Sequence, residues 1–492
     1  MANQLFATKS VADLHADDSS GTQLRRALSA PALTALGVGG IIGTGIFVLT
    51  GTAAANHAGP ALALAFIIAG IGCTLAGLCY AEFAAMIPVS GSAYSYSYAT
   101  LGEGVAWFIG WNLVLEYLFA VATVSVGWSG YLVSLLDQFG MHLPKAIASA
   151  PFAKGPGDLD IVTTGAIINL PAVAIVCALT AICYVGIRQS SAFNSVIVAI
   201  KVTVVLLFIF LGVSHIDSAN WHPFIPENAG PGRFGWSGIL RASGVIFFAY
   251  IGFDAISTAA QEAKNPQRDM PIGILLSLVI CTILYVVVAL VLTGMVSYTQ
   301  LDVPAPVALA LDKYPSLQWM GLPVKFGALA GMTSVMLVMT LAQARIFLAM
   351  ARDGLIWKAF GRVHPKFQTP SFGTVFTGVS AAIIGGLFPV GILGEMVSIG
   401  TLAAFVTVCL GVLVLRQTRP DLARPFRTPA PWVTCILGAI ICGWMMVSLG
   451  VGTWVRLIVW TFVGALIYAF YGYRNSRLHA ANSGARPARS AT

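Results

Sequence analysis

Charge is scarce in this 492-residue chain: 9% of it is Asp, Glu, Lys or Arg, against 57% apolar residues. Soluble globular domains carry about 25% charged residues. That shortage excludes a water-soluble enzyme of two or three domains, and the high apolar content excludes a disordered chain. The eight cysteines include no C-x-x-C pair and no neighbouring histidine, so neither a disulfide framework nor a metal site is supported. There is no H-E-x-x-H, and the glycine-rich runs near 33–55 and 238–260 hold no paired aspartates or Ser/His set, which argues against a membrane-embedded protease. The seven histidines all fall outside the interiors of those runs, so a histidine proton relay is not expected. Acidic residues are outnumbered, 19 to 27 basic. The basic residues lie in short loops between apolar runs and not on one soluble face, so no nucleic acid partner is implied. What remains is a polytopic membrane protein, whose first partner is the lipid bilayer.

Apolar windows of about 20 residues, the length of a bilayer-crossing helix, occur twelve times. They lie near 33–55, 61–87, 105–136, 164–187, 192–213 and 238–260, then 271–295, 324–351, 372–388, 391–415, 432–449 and 453–473. These are spans 1 to 12. Residues before them are too polar and too long for a cleavable signal, so the first span is expected to serve as its own insertion signal. With both termini inside, eighteen of the 27 basic residues fall in inner segments and four in outer ones. The positive-inside rule therefore puts both termini in the cytoplasm. Spans 1–5 (32–213) and 6–10 (237–415) have nearly equal lengths, and an odd number of helices makes the second set start from the opposite face. That is the arithmetic of an inverted repeat. The expected organisation is a tail 1–31, the two repeats, spans 11–12 at 431–473, and a tail 474–492.

The first helix of each repeat is glycine-rich. Span 1 carries five glycines in GVGGIIGTGIF, and span 6 carries Gly244 and Gly252 in GVIFFAYIGFDA. Glycine in a membrane helix often serves only close packing, which suffices for Gly252, but five in nine residues exceed that need and point to a break. Gly43 and Phe248 both stand roughly 15 Å inside their spans, near the midplane. An unwound helix leaves N–H and C=O groups that cost several kcal/mol each unless satisfied. The half-helix N-terminus suits a carboxylate and the freed carbonyls suit an ammonium. An α-amino acid carries both.

The strings GVGGIIGTGIFVLTG, CYAEFAAMIPVSGSAYSY, WNLVLEYLFAVATVSVGWSGY, GVIFFAYIGFDAISTAAQEAKNPQRDMP and EMVSIGTLAAFVTVCLGVLVLR resemble the amino acid-polyamine-organocation (APC) superfamily. More narrowly they resemble the bacterial branch of its cationic amino acid transporter family, over residues 25–430. The resemblance implies an all-α membrane protein of 12 transmembrane helices, a LeuT-type 5+5 inverted repeat plus two C-terminal helices. It implies that the amides of Thr44 and Gly45, beside Gly43, face a substrate carboxylate. It also implies that the carbonyls of Ile41, Phe248, Ala249 and Ile251 face its amine, with the Phe248 ring as a gate; plain core packing is the other reading of that ring. Asp254, after the break in span 6, would support the gate by capping the second half-helix.

Charges within spans are expensive and usually functional. Glu116 in span 3 and Lys201 in span 5 stand at similar depths, so they could meet as a structural ion pair. Alternatively, a lysine stripped of water there can switch between charged and neutral forms and carry a proton. The family resemblance links Lys201, Glu116 and Tyr285 at the place where sodium-coupled relatives hold sodium, implying proton-coupled symport without other cofactors. Glu82 and Glu395 sit at span ends where either can reach interfacial water, and Arg241, Lys325 and Arg456 can snorkel. QEAKNPQRDMP resembles an inner-gate loop, though a positive-inside anchor explains Lys264 and Arg268 equally.

Span 3 near Val121–Thr123, span 6 near Phe248 and span 8 near Met339 are expected to line the substrate side-chain pocket, an apolar space for small or medium neutral side chains. The function expected is proton-coupled uptake of L-amino acids by alternating access across a bacterial inner membrane, and no enzymatic activity. An exchanger, or a polyamine or amine transporter on the same fold, is the alternative; a polyamine path would want several midplane carboxylates, and only Glu116 is there.

Overall fold

The computed structural model describes residues 5–9, 28–87, 92–155, 157–186 and 191–482. Arg25, Arg26, Arg188, Arg486, Arg489 and residues 88–91 of the PVSGSAY string lie outside them. The described chain is built from helices in the order α1 (Ala30–Ile41), α2 (45–58), α3 (Leu62–Met86), α4 (Ser92–Thr100), α5 (Glu103–Gln138), α6 (Leu170–Val185), α7 (Ser191–Val213) and α8 (Gly235–Ile246). There follow α9 (Asp254–Glu262, of 3-10 type), α10 (Pro266–Met295), α11 (Pro306–Asp312), α12 (Gln318–Arg352), α13 (Ser371–Leu387), α14 (Val390–Thr418), α15 (Pro431–Ser448) and α16 (Val451–Ile467). A short antiparallel hairpin, β1 (Phe152–Lys154) with β2 (Ile161–Thr163), separates α5 from α6.

Helices prevail because a backbone in hydrocarbon must satisfy its polar groups within its own segment. Among the described residues nine stretches are long and apolar enough to cross a bilayer, and α1, α6 and α13 are apolar but shorter. One of the nine, Gly45–Met86, is broken at Gly59 (φ +60°), so α2 and α3 are separate helices. Phe210, Val447, Ile458 and Phe462 are between 62% and 78% exposed. So much outward apolar surface has no place in water; it is the lipid-facing wall of a multi-pass membrane protein.

Between helices, where lipid provides no hydrophobic drive, packing rests on small residues and interlocking rings. Leu278 on α10 reaches into the space left by Gly77 on α3, and Leu33 on α1 into that left by Gly273 on α10. The Tyr285 ring lies 5.4 Å from both Phe66 and Tyr250, and Phe405 lies 5.2–5.4 Å from Phe253, Tyr80 and Phe247. Tilted and edge-on pairs of this kind contribute about 0.5–1.5 kcal/mol each.

The terminal charges do not behave as expected from their positions along the chain. Glu82 does not reach water: it is 1% exposed, accepts from Arg416 at 3.0 and 2.6 Å, and accepts from the Thr428 N–H at 2.8 Å. Glu395, at the end of the bundle that carries the hairpin, is 5% exposed and accepts from Arg241 (3.0 Å), Lys154 (3.2 Å) and Thr453 (2.6 Å). Arg241 and Lys325 do not snorkel either. They are 7% and 2% exposed, and Lys325 donates to the Ser134 carbonyl and to Gln138. A buried charge is tolerable only with a nearly full set of partners, and these helix ends supply them. At the opposite end Lys9 pairs with Asp353 at 2.6 Å, joining the chain's first described segment to the end of α12.

Candidate functional site

Span 1 is interrupted where α1 stops at Ile41 and Ile42 turns extended (φ −72°, ψ 103°). The helix resumes with the Phe47 N–H donating to the Gly43 carbonyl at 3.3 Å. Span 6 is interrupted after a 3-10 turn, Phe247–Tyr250, by extended Ile251 and then Gly252 at φ +118°, a conformation that only glycine adopts at little cost. The two breaks are in backbone contact. A methyl group on Gly45 would overlap Ala249, and one on Gly40 would fall 3.1 Å from the Gly252 carbonyl oxygen.

The carbonyls freed at the end of α1 find side-chain donors. Lys201 Nζ donates to the carbonyls of Gly39 at 2.5 Å and Ile42 at 3.1 Å. The Tyr285 hydroxyl lies 2.9 Å from the Ile41 carbonyl oxygen and 2.9 Å from that of Ala249. One hydroxyl proton thus serves one carbonyl from each broken helix. The Phe248 carbonyl accepts from the Ile251 N–H at 3.2 Å. Phe248 is itself buried, at 6% exposure.

Around the breaks, Val335 and Met339 of α12 close one side. A methyl on Gly43 would stand 3.1 Å from Val335 Cγ2, and one on Gly252 would stand 3.2 Å from Met339 Cε. Gly127 of α5 leaves room for the Thr44 side chain, whose fully buried Oγ1 has no hydrogen-bond partner among the described residues. Buried polar atoms are normally satisfied, and this hydroxyl is an exception that stands beside the break. Thr123 is fully buried and spends its hydroxyl on the Phe119 carbonyl.

Two expectations change. Four of the five glycines of span 1 serve close packing: Gly37 faces Ile256 and Ser277, Gly40 faces Gly252, Gly43 faces Val335 and Gly45 faces Ala249, each at a distance that leaves no room for a methyl or barely any. The break is there, but close approach accounts for the glycine density. Glu116 and Lys201 do not meet. Lys201 is held by carbonyls at the end of α1, whereas Glu116 lies beside Thr401 and Asp254, and its Oε1 has no hydrogen-bond partner among the described residues. Equal depth in two helices does not fix the direction in which the side chains point.

Asp254 is the first residue of α9 and lies over the backbone N–H groups of Gly252, Asp254 and Ala255. The residue that holds it was missed: the Tyr117 hydroxyl donates to its carboxyl. Ser257 then ties the Asp254 carbonyl (2.5 Å) to Ser92 of α4 (3.1 Å). Tyr117 adjoins Glu116 in sequence, but nothing in its spacing marks it as a partner of span 6.

Two interrupted helices that touch through their backbones, with freed carbonyls and the buried Thr44 hydroxyl beside them, define a membrane protein with polar groups enclosed midway along its helices. The match to known proteins gives that class a family. The model of the family described as amino acid permease covers residues 28–470. A methylthioribose transporter of Bacillus subtilis is 46% identical over 97% of this chain and all of its own length, and the branched-chain amino acid permease BcaP of the same organism is 46% identical over the same shares. Cationic amino acid transporter 3 of Arabidopsis thaliana is 33% identical over 93% of this chain and 92% of its own. The chain belongs to the amino acid permease family of the APC superfamily: it is a transporter and not an enzyme.

Proposed function

We propose that this amino acid transporter works by alternating access as a proton-coupled uptake system for neutral amino acids, on a twelve-span LeuT-type scaffold. In that scaffold the first repeat is 32–213, the second 237–415, and 431–473 adds two helices, counting the shorter α1, α6 and α13 as parts of membrane-crossing units. Both termini face the cytoplasm of a bacterial inner membrane, as the excess of basic residues at that face supports. The observation that carries the reading is the Tyr285 hydroxyl shared between the Ile41 and Ala249 carbonyls, because it joins both broken helices at one point. The substrate's carboxylate takes the N–H groups at Thr44 and Gly45. Its ammonium competes for the carbonyls of Ile41, Phe248, Ala249 and Ile251. Lys201 carries the coupling proton: charged, it holds the end of α1 through charge-assisted bonds, and neutral, it holds it more weakly. Asp254 and Tyr117 brace the gate. Glu116, which does not pair with Lys201, lies beside Asp254 on the gate side.

The apolar wall formed by Val335, Met339 and Phe248 favours small and medium aliphatic side chains. The two Bacillus relatives of equal identity carry names of chemically different substrates, and only an amino acid offers both an ammonium and a carboxylate to the two breaks. Purified protein in proteoliposomes, loaded with one amino acid and challenged with labelled substrates, tests this. Counterflow of branched-chain or other aliphatic amino acids supports the reading, and counterflow of methylthioribose alone refutes it.

A further inference from the structure

A groove of about 440 Å³ opens at the start of α10, between its first two turns and the loop that precedes α15. Gln267 and Arg268 stand at its rim, and Pro271, Ile272, Pro425 and Phe426 form its walls. Arg268 is exposed, whereas its acidic neighbour Asp269 is 6% exposed and accepts from the Asn265 N–H at 3.2 Å, so that carboxylate is turned away from the rim. Arg427, next to the wall residue Phe426, is exposed as well. The rim coincides with the N-terminus of a 30-residue helix, whose dipole adds partial positive charge.

The floor of the groove continues into lipid. Ile272, Leu276, Val279 and Ile283 are 37%, 46%, 46% and 59% exposed. Steps of four, three and four residues put them on one face of α10. A free phosphate would want polar walls all round, and here only the rim is polar. A zwitterionic lipid would bring its own cation to a rim already cationic.

We propose that this groove binds one anionic phospholipid of the phosphatidylglycerol class, its phosphate against Arg268 and Gln267 and one acyl chain along the Ile272–Ile283 stripe. The basic loops place this end of α10 at the cytoplasmic leaflet, where anionic headgroups meet basic pockets between helices. Binding of this kind fastens the start of α10 to the loop before α15.

Full-length protein, delipidated in detergent, is titrated in separate arms with phosphatidylglycerol, phosphatidylcholine and inorganic phosphate, following bound lipid by native mass spectrometry and unfolding by a thermal shift. Phosphatidylglycerol is expected to remain bound and to raise the midpoint more than the other two. Arg268→Gln is expected to weaken its binding roughly tenfold, the size of one lost charge-assisted contact, while Lys366→Gln, in a different exposed loop, leaves it unchanged. Equal effects of phosphatidylglycerol and phosphatidylcholine on the wild type, an equal effect of phosphate, or unaltered binding by Arg268→Gln overturns the proposal. Should Arg268→Gln not fold, Phe426→Ala and the wild-type comparison of the two lipids still decide it.

Discussion

Lys201 Nζ donates to the Gly39 carbonyl at 2.5 Å, so the amine of α7 closes the last turn of α1 on one side of its break. A second bond to Ile42 spans the first residue of the break itself. The end of α1 is therefore held by a group whose donor count changes with its protonation: three N–H bonds when charged, two when neutral.

Replacing this amine removes both the clamp and the titrating group. Lys201→Met is expected to abolish accumulation driven by an imposed pH gradient in proteoliposomes while leaving some substrate counterflow. Two carbonyls lose their donor, at about 1–3 kcal/mol each, which a lowered unfolding midpoint reads. Concentrative uptake by this variant under a pH gradient would remove Lys201 from the coupling role.

Tyr285→Phe keeps the ring contacts with Phe66 and Tyr250 and deletes only the shared hydroxyl. The expected result is a stability loss of about 1–3 kcal/mol with a larger fall in transport rate than in substrate affinity, since the lost bond joins the two broken helices. Wild-type counterflow kinetics would show that the bridge is incidental.

Gly45→Ala and Gly391→Ala make a matched pair. A methyl on Gly45 overlaps Ala249, whereas one on Gly391 has nothing within 4 Å among the described residues. Overpacking of the first kind costs roughly 1–3 kcal/mol and separates the two breaks, so transport is expected to be lost. Gly391→Ala is expected to transport normally and to be as stable as the parent. Both are measured by counterflow and thermal unfolding in parallel, and equal behaviour of the two refutes the contact.

The cluster on Glu395 predicts a stability effect far from the substrate site. Glu395→Gln takes from the 7%-exposed Arg241 the nearer of its two carboxylates and leaves Asp158 at 3.7 Å, so a loss below the about 3–5 kcal/mol of a fully unpaired buried charge is expected. The combined change Glu395→Gln, Arg241→Met is expected to recover part of that loss, which thermal unfolding of the three proteins measures directly.

Much of this was legible in the residues and some was not. Hydropathy along the chain marked the helical segments, and the glycine cluster of span 1 marked where α1 stops, whereas Gly252, read as a packing residue, is where span 6 turns. Those are local properties: how many apolar residues follow one another, and which residue tolerates φ +118°. The reason for the glycine density was misread, because close approach to Ala249, Gly252 and Val335 depends on what the rest of the chain brings alongside. Glu82 and Glu395 were placed near helix ends correctly, yet whether such a carboxylate meets water or an arginine depends on residues 334 and 154 positions away in the chain.

The sequence by itself determined a multi-pass helical protein with two interrupted helices and an amino acid permease's motifs, since bilayer thickness and backbone hydrogen bonding constrain each segment separately. Only the tertiary structure decided that Lys201 reaches Gly39 and Ile42 and not Glu116, that Tyr117 holds Asp254, and that Tyr285 bridges both breaks. Depth along a helix follows from counting residues, but the direction of a side chain around its axis acquires a partner only when the neighbouring helices are in place.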